Sequence, residues 1–166
     1  MRQSAGSHTM SNNLYVGTYG SGTGCYELAG TGASLTTPNL FLGNQGVGAF
    51  EQSAGTCNVP GKLHLGLFAG GEGSYRLSGG TLQVASCAYI GRGGEGVFVQ
   101  SGGNSDIASL CIGEQRGGNG TVNIHGGNAL VRGNAYRTWV ALPRAPAASA
   151  CSRSTRAVNS TSAAGA

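Results

Sequence analysis

The chain has 166 residues, of which 39% are hydrophobic, only 10% are charged and 32 are glycine. This length is enough for one domain, and the hydrophobic content favours an ordered, turn-dense fold over low-complexity glycine-rich disorder. The net charge of +4 comes from the last 35 residues, which contain five arginines and no acid, so the near-neutral remainder does not predict a nucleic-acid-binding face. There is no run of 18 apolar residues to predict membrane insertion, and five cysteines without CxxC spacing indicate neither a zinc site nor a complete disulfide set.

A strand-like motif recurs along the chain and predicts a repeat structure. In order, its copies are LYVG (14–17), LFLG (40–43), LHLG (63–66), AYIG (88–91) and LCIG (110–113). The closing glycines are 26, 23, 25 and 22 residues apart, an average of 24. Between them lies a Gly-x-Gly followed by a strand, in the copies GTGCYEL, GVGAFEQ, GEGSYRL, GEGVFVQ and GNGTVNI. A small-residue turn and a third, weaker strand complete each unit.

These units predict an all-β fold, a parallel β-solenoid of about five three-faced coils of about 24 residues, because a single unit cannot bury its apolar side alone. The array is assigned to residues 1–131 and is expected to begin within a coil, since Met1 occupies the place of Phe50. Its open strand edges predict end-to-end self-association, which sedimentation at increasing concentration would reveal. Residues 132–166, rich in Ala, Arg and Ser, are predicted to form a low-complexity, mostly disordered and irregular tail.

The period-2 alternation of each strand predicts which side chains point inward. The first set comes from the LxLG strands: Leu14, Val16, Leu40, Leu42, Leu63, Leu65, Ala88, Ile90, Leu110 and Ile112. The second is a column led by aromatic residues: Tyr26, Phe50, Tyr75, Phe98 and Val122. The third is Leu35, Val59, Leu82, Val84 and Ile107. Glycines are expected where the chain turns with positive φ or where a neighbouring coil comes close.

A longer period of two coils overlies the single-coil repeat. Coils led by Tyr26 and Tyr75 continue with Leu, whereas those led by Phe50 and Phe98 continue with Gln. Shifting residues 3–30 by 49 positions gives identity at 11 of 28 places. Because Gln52 and Gln100 point inward by pattern, their amides are predicted to bond turn carbonyls.

The glycine clusters do not predict a cofactor or metal site. A calcium-binding G-G-x-G-x-D repeat needs Asp at its sixth position, where this chain has Tyr75, Phe98 or Val122. GRGGEG (91–96) matches a dinucleotide-binding pattern only formally, because a strand follows it instead of a helix. The three histidines fall at unrelated places in the repeat, so no metal ligand set is predicted.

The sequence predicts no catalytic residue, and only one acidic pair resembles a catalytic arrangement. Glu27, Glu51 and Arg76 fall at equivalent outward positions of successive coils, which would place two carboxylates about one coil apart, as in a retaining glycosidase. A solvated charge ladder is the favoured interpretation. Cys87 and Cys111 are offset by two residues, which predicts a diagonal of about 7–8 Å, too long for a disulfide without backbone movement.

The candidate binding surface is an outward stripe on the LxLG face. The position between the two apolar residues of each motif is occupied by Tyr15, Phe41, His64, Tyr89 and Cys111. The four rings, Tyr15, Phe41, His64 and Tyr89, are candidates for packing on sugar rings or on a partner protein. The competing interpretation is that outward strand positions favour aromatic residues through cross-strand packing alone.

The alternation GxGxYxLSGGxL…LxIGxxGxGxFxQSGG…LxLG, over residues 3 to about 131, resembles repeats of large secreted bacterial proteins, namely autotransporter passenger-like and PEP-CTERM-anchored β-helical surface proteins. The resemblance implies an extracellular or cell-surface location and carries over no catalytic residue. We therefore expect a non-enzymatic structural or adhesive segment whose partners are glycans or other surface proteins. The alternative is a carbohydrate-binding or carbohydrate-cleaving β-helix that uses the aromatic stripe.

Overall fold

The computed structural model describes residues 1–137, and these form an all-β stack of six coils. Within that range no helix is long and apolar enough to cross a membrane. The greater part of the predicted tail, residues 138–166, lies outside the described residues.

Each coil carries strands on three faces. Coil one contains β1 (Arg2–Gln3), β2 (Ser7–Thr9) and β3 (Leu14–Val16); coil two contains β4 (Thr23–Leu28), β5 (Ser34–Thr36) and β6 (Leu40–Leu42). Coil three contains β7 (Val47–Gln52), β8 (Thr56–Val59) and β9 (Leu63–Leu65). Coil four contains β10 (Glu72–Leu77) and the long β11 (Thr81–Ile90); coil five contains β12 (Glu95–Gln100) and the long β13 (Asn104–Ile112). Coil six contains β14 (Asn119–Ile124), β15 (Asn128–Val131) and β16 (Ala135–Arg137).

All strand pairs are parallel and join each coil to the next, which confirms the predicted solenoid. Face 1 is a six-stranded sheet in the order β1-β4-β7-β10-β12-β14. Face 2 carries β2, β5, β8 and β15, and face 3 carries β3, β6, β9 and β16. The two faces belong to one ten-stranded sheet, because β11 and β13 run through the corner that separates them in the other coils. The ladder also continues past residue 131, since β16 pairs with β13. The five LxLG motifs predict about five coils, and the sixth is closed by a strand that lacks the motif.

Glycine closes the coils for two separate reasons. The final glycine of each LxLG motif has a positive φ, and at Gly43, with φ of 67°, an added Cβ would lie 2.0 Å from the carbonyl oxygen of Glu72 in the next coil but one. Gly73 has no such φ, yet a Cβ there would lie 2.2 Å from the carbonyl oxygen of Leu42. Both predicted roles of glycine, the left-handed turn and the close approach, are confirmed.

Most of the predicted inward residues form the core, whereas Leu14, Ile112 and Val122, near the two ends of the stack, are only partly buried and pack against it. On face 1 a row of inward-facing aromatic rings runs along the axis. Their centroids are 5.0 Å apart for Tyr26–Phe50, 4.8 Å for Phe50–Tyr75 and 5.7 Å for Tyr75–Phe98. These four side chains are at most 3% exposed. Aliphatic side chains from the other two faces fill the remaining interior: Leu35, Leu40, Leu42, Val59, Leu63, Leu65, Leu82, Val84, Ala88, Ile90, Ile107 and Leu110 are all buried.

The two-coil period corresponds to a buried hydrogen-bond network. The amide nitrogen of Gln52 donates to the carbonyls of Gly55 (3.1 Å) and Thr81 (3.0 Å), and its oxygen accepts from the Tyr75 hydroxyl of the next coil at 2.5 Å. Gln3 makes the same set of bonds, with Tyr26 as the hydroxyl donor at 2.6 Å. Backbone carbonyls therefore satisfy the Gln amides, as predicted, and the oxygens of Gln3 and Gln52 each accept from a Tyr hydroxyl in the next coil.

Gln100 is the third inward glutamine, and the donor to its side-chain oxygen differs from that of Gln3 and Gln52. Gln100 donates to the carbonyls of Gly103 (3.3 Å) and Asn128 (3.0 Å), but Val122 stands where a tyrosine would follow. The Ser105 hydroxyl donates to the Gln100 oxygen at 2.7 Å instead. The buried amide thus remains fully paired, as such groups must be in a protein interior.

Candidate functional site

The predicted aromatic stripe exists as one column on face 3, and we call it the aromatic column. Tyr15 pairs with Phe41, Phe41 with His64, and His64 with Tyr89, each between the two apolar residues of its LxLG-type motif. The alignment continues through Cys111 to Tyr136. Tyr136, which is 49% exposed, was missed because it lies beyond the predicted end of the array. Its signal is the spacing of AYR (135–137) from LCIG (110–113), about one repeat.

The four rings stack on one another. Their centroids are 4.6 Å apart for Tyr15–Phe41, 4.8 Å for Phe41–His64 and 4.9 Å for His64–Tyr89, and their planes are within 7° of parallel. This spacing is that of neighbouring strands, so each ring covers the face of the next. The faces of Phe41 and His64 are therefore occupied, and a sugar ring could reach only the edges of these two rings.

Two cations flank the Tyr89 end of the aromatic column. The Arg92 guanidinium lies 5.3 Å from the Tyr89 ring centroid and the Lys62 ammonium 5.8 Å, which are cation–π distances. Arg92 is also paired with the carboxylate of Glu114. Because Lys62 and Arg92 lie outside the repeated motif, the sequence pattern did not place them beside Tyr89.

His64 is buried although it points away from the coil axis. Its side chain is 5% exposed, and its Nδ1 has no hydrogen-bond partner among the described residues. Burial, together with the positive charges of Arg92 and then Lys62, lowers the pKa of His64 to about 4. His64 is thus a neutral ring of the stack at neutral pH.

This buried histidine predicts a loss of stability in acid. Its folded pKa of about 4 lies below the unfolded value of about 6.5, so between these values the unfolded chain binds the extra proton. The free energy of unfolding should therefore fall as pH falls from about 6.5 to about 4, by about 2–3 kcal/mol for this group. We expect His64→Phe to remove that part of the pH dependence in urea unfolding. His125→Phe, at an exposed position, should keep it, and identical pH profiles for wild type and His64→Phe would contradict the prediction.

The acidic pair is stacked as its spacing predicts. Glu51 lies between Glu27 and Arg76 in the face 1 ladder, beside a depression of about 230 Å³ that these three side chains help to line. Glu27 forms its ion pair with Arg2 at 3.4 Å, and the two side chains are 38% and 68% exposed. These charges are in contact with solvent, which fits a surface charge ladder worth little to stability.

Cys87 and Cys111 lie on neighbouring strands, and their sulfur atoms come close together although no disulfide joins them. Their strands keep the predicted offset, since Cys87 pairs with Ser109 and Tyr89 with Cys111. The two sulfurs nevertheless lie 3.2 Å apart. A register shift between Val84 and Cys87 gives β11 one extra residue there, and the side chains turn toward each other across the diagonal.

Among residues 1–137, no group of three or more His, Cys, Asp or Glu side chains is placed to hold a metal ion. No protein-family model, curated protein or solved structure matches the chain. The assignment of function therefore rests on the geometry of the aromatic column and on the repeat itself.

Proposed function

We propose that this chain is a non-enzymatic structural segment of a secreted or surface-displayed bacterial repeat protein. The observation that carries the proposal is the mutual stacking within the aromatic column. Its central rings, Phe41 and His64, are covered on both faces by their neighbours. Such a column joins successive coils in the way that cross-strand pairs stabilise a sheet. The resemblance of the repeats supports the surface location. An antibody against the chain tests it, because a surface protein should be labelled on intact source cells as strongly as on permeabilised ones.

A structural role predicts that the aromatic column contributes to stability. Phe41 stacks on Tyr15 and on His64, so Phe41→Ala should lower the free energy of unfolding by about 1–3 kcal/mol, at about 0.5–1.5 kcal/mol for each aromatic pair. The matched control is Phe68→Ala, because Phe68 is 47% exposed and lies outside the column. Its effect should stay within about 0.5 kcal/mol in the same urea titration. Equal effects of the two variants would contradict a structural role for the column.

A glycan array separates the structural role from carbohydrate binding. We expect the wild-type chain to bind no glycan, because a sugar needs a free aromatic face and the rings of Phe41 and His64 have none. Binding that is lost in Tyr15→Ala or Tyr89→Ala, while both variants keep their circular dichroism, would overturn the proposal and assign the column as an adhesive surface.

A further inference from the structure

We propose that Cys87 and Cys111 form an intramolecular redox pair, which a low-molecular-weight disulfide converts to a disulfide between coils four and five. The two sulfurs lie 3.2 Å apart, between the length of an S–S bond and an ordinary van der Waals contact. Both are free thiols in this structure. The inference does not depend on the proposed structural function.

The backbone can provide the closure that the bond requires. An S–S bond is about 2.05 Å long, so the sulfurs must approach by about 1.2 Å. Cys87 directly follows the register shift in β11, where the ladder with β13 is interrupted. A strand next to a bulge is less constrained by pairing than one in a continuous ladder. Because residues 85 and 86, just before Cys87, have no partner in β13, a small shift of this segment together with side-chain rotation is the expected route to closure.

The two thiols have different roles in the exchange. Cys111 is partly exposed, so its thiolate attacks one sulfur of the small disulfide R–S–S–R, forming a mixed disulfide and releasing the first R–SH after protonation. Cys87, which is 9% exposed, then loses its proton and attacks the Cys111 sulfur, forming the protein disulfide and releasing the second R–SH. Each chain is oxidised by two electrons, and one R–S–S–R is reduced to two R–SH.

The second step, in which Cys87 attacks the mixed disulfide, should be slow but should occur at Cys111 only. Burial, followed by the hydrogen bond and charge of Cys111, raises the pKa of Cys87 to about 12, so its thiolate is rare at neutral pH. Its sulfur already lies beside that of Cys111, which replaces a bimolecular encounter with an intramolecular one. Cys57 is buried with a pKa also raised to about 12, and Cys25 is exposed on another face, so neither competes for Cys87.

Peptide mapping tests the pair directly. Trypsin cleaves after Arg76, Arg92 and Arg116, which places Cys87 in peptide 77–92 and Cys111 in peptide 93–116. Cys25 and Cys57 share peptide 3–62, and Cys151 is in peptide 145–153. After incubation of the full chain with oxidised glutathione and alkylation of free thiols, we expect 77–92 linked to 93–116. When labelled and unlabelled chains are mixed before oxidation, both linked peptides should carry the same isotope, because the disulfide forms within one chain.

Two variants identify the order of the steps. In the Cys87→Ser variant, glutathione should stay bound to Cys111 in peptide 93–116, because the thiol that would displace it is absent. Cys25→Ser should leave the link between 77–92 and 93–116 unchanged. The proposal is overturned if peptide 77–92 stays alkylated after oxidation, if it links to another cysteine peptide, or if the link forms between labelled and unlabelled chains.

Discussion

Replacing Gly43 with alanine should cost the solenoid several kcal/mol, whereas the same replacement at Gly70 should cost about 1 kcal/mol. Both glycines have a positive φ, 67° at Gly43 and 79° at Gly70, so both variants carry the strain of a left-handed alanine. Only at Gly43 does an added Cβ meet backbone, 2.0 Å from the Glu72 carbonyl oxygen; at Gly70 nothing lies within 4 Å. The clash can be relieved only by moving one coil away from another, which disrupts the ladder between them.

The comparison is made by urea unfolding followed by circular dichroism. The gain from restricting the unfolded chain is the same for the two Gly→Ala changes and cancels in their difference. The difference therefore measures the close approach of the coils. Equal losses at Gly43 and Gly70 would show that backbone strain alone explains the closing glycines.

The second large effect is expected at the buried Gln52–Tyr75 pair. Tyr75→Phe removes the hydroxyl that donates to Gln52 at 2.5 Å and leaves a buried amide oxygen without this donor, which costs about 1–3 kcal/mol. Gln52→Leu should cost a similar amount, because the Tyr75 hydroxyl loses its acceptor in a core position that is 0% exposed.

Combining the two changes should cost less than their sum. The double variant produces a Leu–Phe pair, which the chain already has at Leu28–Phe50 and Leu77–Phe98 in the alternate coils. The Gly55 carbonyl, which loses the Gln52 amide, still accepts from the Thr81 backbone at 2.8 Å. A double-mutant cycle in urea should give a coupling of about 1–2 kcal/mol, and strict additivity would contradict the network.

The apolar pattern was sufficient to predict the coil and its faces. Alternation at period 2 is local, so Leu63 and Leu65 could be assigned inward and His64 between them outward without knowing any neighbour. A repeat of about 24 residues then aligns each strand with its copy, and the observed register of Tyr75 with Phe50 and Phe98 follows. The end of the array was harder to predict from the sequence. The strand β16 pairs in register with β13, yet it has neither the leucines nor the closing glycine of the LxLG motif.

The sequence by itself thus determined the solenoid, its inward columns and the four stacked rings of the aromatic column, but not Tyr136 at its end. The tertiary structure alone decided what those side chains do: the rings cover one another, His64 is buried, and Lys62 and Arg92 flank Tyr89. It also decided that Cys87 and Cys111 meet. The reason is physical, since periodicity places a Cα on a face and in a register, whereas side-chain torsions and a one-residue bulge decide which atoms touch across coils.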